Sequence, residues 1–365
     1  MKSKERVKIA LTRNGIPDRI PIQFDLCKSL IEHFGKELKI TPEYAWSYYE
    51  DLTYRISANE IRTKLGSDVV VVGGTMASDF KPIPVKEDIT INEFGMKMKP
   101  TNLYVEAVER PLRDAQSIKH IEEYDFPDPY AKGRFDIAKL EIDKYGNEYF
   151  IIGDCELSIF ELAWQLTGME KYMIAMAMQE EWVEKLNDRI EYWTTHLALQ
   201  MLKIGVDAIW FGEDLGTQTS TIMSPDMWRK MFKSYYIRMF ELLKKTKSDL
   251  IIIMHSDGAV ASILNDFIEI GVDVYNPVQP NIPGSEPMEL KEKYGNSIAF
   301  FGGIDQQELL PSGNVDEIRE EIKLRCEILG KNGGYMLAPA HIIQSDTTPE
   351  TVKIMINAAK EFGKY

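Results

Sequence analysis

The run IIIMHSDG, residues 251–258, places His255, Ser256, Asp257 and Gly258 after four apolar residues. A strand turns successive side chains to opposite faces, so an extended chain here points His255 and Asp257 the same way and Ser256 the other. An imidazole nitrogen and a carboxylate oxygen on one face can hold one divalent ion; they can equally form a hydrogen-bonded pair or a salt bridge. Glu213, after GVDAIWFG, and His341, after GGYMLAPA, end similar runs and extend the metal reading. The expected metal set is therefore His255, His341, Glu213 and Asp257. This mixture of donors suits Zn2+ with one position left for substrate, and also admits Fe2+ or Mn2+. Glu213 and its neighbour Asp214 have an alternative role as caps of the next helix. Asp154 and Asp305 close two other runs and are the candidates for general acid/base work or for binding polar substrate groups. Asn276 and Gln279 offer neutral hydrogen bonds, and Phe24, Met76, Trp210 and Tyr335 are candidate pocket walls, with core packing as their alternative.

These residues need a scaffold that brings strand ends together. After residue 145 short apolar runs alternate with stretches of helical period: 148–154, 205–214, 249–258, 271–279, 296–305 and 333–341. Each run is apolar almost throughout, as for strands covered on both faces of a parallel sheet. Ser224-Pro225 and Thr348-Pro349 read as helix starts, and the repeated IGVD at 204–207 and 270–273 as a helix closed by glycine before a strand. PIQFD (21–25) and SDVVVVGG (67–74) bring the strand count to eight. Eight strands alternating with helices predict an α/β TIM (β/α)8 barrel, whose chemistry belongs at the C-terminal strand ends. No glycine-rich phosphate loop supports the alternative, an open doubly wound sheet. The chain reads as one domain over 1–365, with a helical extension within 1–66 and a β-hairpin excursion at about 85–110.

The net charge of −14, without a basic stripe, makes nucleic acid and anionic membrane surfaces poor partners. Three cysteines without CxxC spacing and an N-terminus without an apolar signal segment predict a cytoplasmic protein that does not span a membrane. A homodimer is compatible with the sequence, which does not fix the oligomeric state. Nucleophilic catalysis has little support, because there is no GxSxG and Cys155 reads as a small buried residue at a helix start.

Six stretches carry a resemblance over nearly the full length: KERVKIALTRNGIPDRIP, ERPLRDAQSIKHIEEYDFPDP, GVDAIWFGEDLGTQTSTIMSPDMWRKMF, HSDG, FFGGIDQQELL and APAHIIQSDTTPETV. With them the chain resembles the uroporphyrinogen decarboxylase superfamily, and the resemblance implies a TIM barrel. The true decarboxylases carry an arginine-rich element after the first strand; FDLCKSLIEHFG stands there without an arginine. The chain is more similar to the cobalamin-dependent methyltransferases, which bind zinc through an HxC pair and a late cysteine. His255 matches the first ligand, while Asp257 and His341 stand where the two thiolates would be. The resemblance thus implies a metal site with nitrogen and oxygen in place of sulfur, a harder Lewis acid suited to an oxygen or nitrogen leaving group.

The expected function is metal-dependent transfer of a methyl group between a small O- or N-methylated molecule and a corrinoid carried by a partner protein. Corrinoid–tetrahydrofolate transfer, a decarboxylase-like lyase and a non-catalytic binding protein are the alternatives.

Overall fold

The computed structural model describes residues 1–86, 88–101 and 105–365. Seven strands, β1 (Val69–Gly73), β6 (Phe150–Cys155), β7 (Ala208–Gly212), β8 (Ile251–His255), β9 (Val274–Val278), β10 (Ala299–Ile304) and β11 (Tyr335–Pro339), pair in parallel in that order. Between β1 and β6 the chain makes a separate antiparallel sheet of β2 (Ile83–Lys86), β3 (Ile89–Ile91), β4 (Lys97–Pro100) and β5 (Val105–Glu109). The expected hairpin is thus a four-stranded meander, and residues 87 and 102–104 of it lie outside the described residues.

The predicted first strand closes the ring with scattered bonds. Gln23 N–H donates to Leu337 O at 3.0 Å, Leu337 N–H to Pro21 O at 2.9 Å, and Asp68 N–H to Ile22 O at 2.8 Å. Pro21 has no N–H to give, and the Ile22 N–H goes to the Asp68 side chain at 2.9 Å, so no regular ladder forms. Residues 20–26 are nevertheless the eighth stave of the barrel, joining β11 to β1.

Side chains alternate along each stave. One buried cluster contains Val69, Val71, Phe150, Ile152, Ala208, Trp210, Ile251, Ile253, Val274, Ala299, Phe301 and Met336. These residues fill the barrel, while Ile252, Met254, Phe300 and their equivalents pack outward in the cluster shared with the helices. Val7 and Leu11 of the helix Ser3–Thr12 belong to the inner cluster. This helix stoppers the end where the strands begin, and it is tied there by Arg6 to the buried Asp68 at 2.8 Å. It alone precedes the first stave; the helices Lys28–Leu38 and Asn59–Leu65 belong to the crossover into β1.

Local signals act as expected. Ser224 and Thr348 accept from the N–H groups of Met227 and Thr351, and Gly205 ends the helix Glu181–Ile204 at φ 105°. Among the described residues no helix is long and apolar enough to cross a membrane.

Candidate functional site

Above the apolar layers the inward positions become polar. On β8 the inward series Ile251, Ile253 leads to His255, and on β9 Val274 leads to Asn276, which pairs in register with His255. Asn276 Oδ1 lies 2.7 Å from His255 Nδ1, while the Asn276 amide nitrogen donates to Phe301 O at 3.4 Å. With its oxygen on the ring, Asn276 accepts the Nδ1 proton and leaves the Nε2 lone pair facing the mouth. Nε2 stands 3.6 Å from Asp214 Oδ1 and 3.8 Å from Asp257 Oδ1. The His341 ring approaches edge-on, with centroids 6.1 Å apart.

Two glycines set the loops that carry the acids. A Cβ on Gly258 would fall 2.4 Å from the Gly216 carbonyl carbon, so the β7 and β8 loops touch backbone to backbone. The Asp257 N–H reaches Asp214 Oδ1 at 3.1 Å, and Ser256, turned away as alternation requires, accepts from Leu215 N at 3.0 Å.

His255, Asp257 and His341 each offer a ligand atom within 4.8 Å of the others. Ligands about 2.0–2.2 Å from a common ion lie about 3–4 Å apart, so the trio fits a divalent cation after a small contraction. Its donors are two imidazoles and a carboxylate, with Asp214 beside them. Burial, helped by the charges of His255 and Arg55, pushes the His341 imidazole down to about 3, so it stays in its neutral, ligating form. Burial also opposes charge on His255, but Glu156, Asp257 and Asp214 together raise it. A proton and a cation therefore compete for the same nitrogen.

Beneath this cluster lies a buried ionic layer. Arg55 stacks over the Trp210 ring at 4.5 Å, contacts Glu156, and lies 3.7 Å from Asp154 and 3.5 Å from Asp25. Arg62 binds Asp25 from the other side. Glu156 reaches this position across Gly212, where a Cβ would sit 2.2 Å from its Cγ. Asp154 pairs in register with Trp210 and so lies one layer below His255. It is held by the Glu156 N–H at 3.0 Å and lines neither of two cavities at the mouth, one bordered by Gln279, Asp305 and His341 and a smaller one bordered by Arg55, Trp210, His255 and Asn276. Burial pushes its carboxyl up to about 7 against the pull of Arg55.

A cavity of about 110 Å3 opens beside His341, lined by Gln279, Asp305 and Asp257 among others. Asp305 accepts from the N–H groups of Gln307 at 2.7 Å and Glu308 at 3.2 Å, and from Asn281 Nδ2 at 3.1 Å.

Four sequence expectations are corrected. Glu213 shares the outward face of Phe211; its carboxylate accepts from Phe160 N and Glu161 N, each at 2.9 Å, and from the Tyr236 hydroxyl. It caps the helix Ile159–Thr167 and is absent from the ligand trio. Tyr335 and Phe24 also point outward into the helix-facing core, with the Tyr335 hydroxyl on Gly302 O at 2.8 Å. Met76 is half-buried on the rim, its N–H given to Trp46 O, and lines neither mouth cavity. The residues that sequence reasoning missed are Arg55 and Glu156.

Residues 87–362 match the family described as Uroporphyrinogen decarboxylase (URO-D). The chain belongs to the uroporphyrinogen decarboxylase family. The uroporphyrinogen decarboxylases of Legionella pneumophila strains Corby and Philadelphia 1 are each 22% identical to this member over 258 residues, 69% of this chain and 70% of theirs. A methyltransferase from Methanosarcina mazei has the same fold, with a TM-score of 0.73 at 19% identity over 99% of both chains. A B12-independent methionine synthase from Shewanella follows at a TM-score of 0.50 and 12% identity, over 95% of this chain and 96% of that one. In this family member the mouth differs from a polyanion site in one respect: among the described residues Arg55 is the sole lysine or arginine lining the two mouth cavities, and it is already engaged by carboxylates.

Proposed function

We propose that the protein is a metal-dependent methyltransferase that moves a methyl group between a small O- or N-methylated molecule and a corrinoid carried by a partner protein. The observation that supports it is the cluster of His255, Asp257 and His341 at the open end of the barrel, inside an acid-rich mouth. These three would hold the ion, with Zn2+ the first choice and Fe2+ or Mn2+ admitted by the carboxylate. Bound there, the ion supplies a Lewis acid for the leaving oxygen or nitrogen, and the corrinoid supplies the methyl acceptor.

The protein's own residues prepare the site. Asn276 fixes the His255 ring, and the contact between Gly216 and Gly258 keeps Asp214 and Asp257 beside it. Asp305, on the rim, accepts hydrogen bonds from polar groups of the substrate. Decarboxylation of a polycarboxylated tetrapyrrole fits the charge poorly: such a substrate needs free cations, and Arg55 and Arg62 are bound to Asp25 and Glu156.

Metal analysis of untagged protein after reconstitution tests the reading. About one equivalent is expected in the parent and less than about a tenth in His255→Ala, with methylation of cob(I)alamin, followed by absorbance, lost in the same variant. A parent protein that retains no transition metal would sink it.

A further inference from the structure

We infer that the methyl donor is compact, free of anionic groups and furnished with hydroxyl or amide groups, rather than an aromatic methyl ether. The inference rests on the methyl-transfer reading and narrows its substrate. The cavity beside His341 measures about 110 Å3. An engineered cavity of about 150 Å3 encloses one benzene molecule, so the portion of a donor that enters here is smaller than an aromatic ring.

The walls agree with the size. Gln218, Gln279, Gln306, Gln307 and Thr217 surround the space, with Pro280 and Ala340 among the apolar residues that line it. Carboxamides and hydroxyls both donate and accept, which matches alcohol and amide groups and leaves an aryl face without a partner. Gln306 Oε1 is buried without a hydrogen-bond partner, an acceptor placed for a donor on the ligand. Charge excludes anionic ligands. Among the described residues no lysine or arginine lines this cavity, while two carboxylates, Asp257 and Asp305, do. Asp257 belongs to the cation cluster.

For a methyl ether the transfer is balanced as follows. The C–O bond breaks with its electron pair left on oxygen, which takes a proton to become an alcohol, and the methyl carbon receives a new pair from the reduced corrinoid, the co-substrate.

The experiment compares 2-methoxyethanol with 2-methoxyphenol, using reconstituted parent protein and Gln306→Leu. Cob(I)alamin methylation reads turnover, and titration calorimetry reads binding without it. The expected result is a kcat/KM at least about tenfold higher for 2-methoxyethanol, and a KM raised about tenfold by Gln306→Leu with metal content unchanged, the scale of losing one buried hydrogen bond. Faster turnover or tighter binding of 2-methoxyphenol would overturn the inference and leave the methyl-transfer reading standing. Failure of both donors, in turnover and in calorimetry, would overturn the two together.

Discussion

The barrel interior has two halves built from the same staves and separated by two residues of strand. In the lower half Ile251, Ile253, Ile152, Val71 and Phe301 meet Val7 and Leu11 in a hydrocarbon core. In the upper half the next inward positions are His255, Asp154 and Asn276, with Asp25, Arg55 and Glu156 around them. The lower half stabilises by removing apolar surface from water. The upper half buries charges whose mutual attraction offsets their desolvation only in part. Asp154 Oδ2 and Glu156 Oε1 are buried there without hydrogen-bond partners. Stability is generated at one end of each stave, and chemistry is set up at the other.

Substitutions can break this division. Arg55→Leu leaves Asp25, Asp154 and Glu156 buried without their shared cation and should cost about 3–5 kcal/mol in urea unfolding at pH 8. The loss should shrink toward pH 5. Carboxyls whose folded pKa is raised favour the folded state below their unfolded pKa and penalise it as pH rises through the folded one. A variant as stable as the parent would show that the upper half carries no such strain.

Ile253→Ala, one layer below His255, should cost about 2–5 kcal/mol through lost burial and a cavity, yet leave metal content unchanged. Loss of metal in this variant would erase the distinction between the halves.

Asp154→Asn sharpens it through pH. Burial raises the Asp154 pKa from 3.8 to about 7, so the parent loses stability as pH rises through that interval. The variant lacks this loss: it should match the parent near pH 4 and exceed it at pH 8 by on the order of 1–3 kcal/mol, read from thermal unfolding at both values. Glu213→Gln keeps an acceptor for one of the two N–H groups at the start of the helix Ile159–Thr167 and turns an amide nitrogen toward the other, at an expected cost of about 1–3 kcal/mol. That cost with full metal content would place Glu213 outside the cation site.

Much of this was legible in the residues. The apolar runs gave every barrel strand, and HxD alternation correctly put His255 and Asp257 together with Ser256 turned away. The same alternation excludes Glu213: Trp210 and residue 213 differ by three positions and cannot share a face, whereas Asp214 can. Phe24 and Asp25 are adjacent and cannot both face inward. Tyr335 is harder, because in an all-apolar run nothing local tells the inner face from the outer. Arg55 carried no local signal. It lies between helices of the first crossover, and only the closed fold brings it over Trp210 and against Glu156, which itself depends on the absent side chain of Gly212.

The helix under the barrel has a kinetic consequence. Because Val7 and Leu11 block one end, traffic to His255 uses a single doorway. On the proposed methyl-transfer reading, a small molecule would be seated before a carrier protein covered that doorway, and its remainder would depart only after the carrier withdrew. A stopper on the far side of the molecule would then dictate ordered turnover.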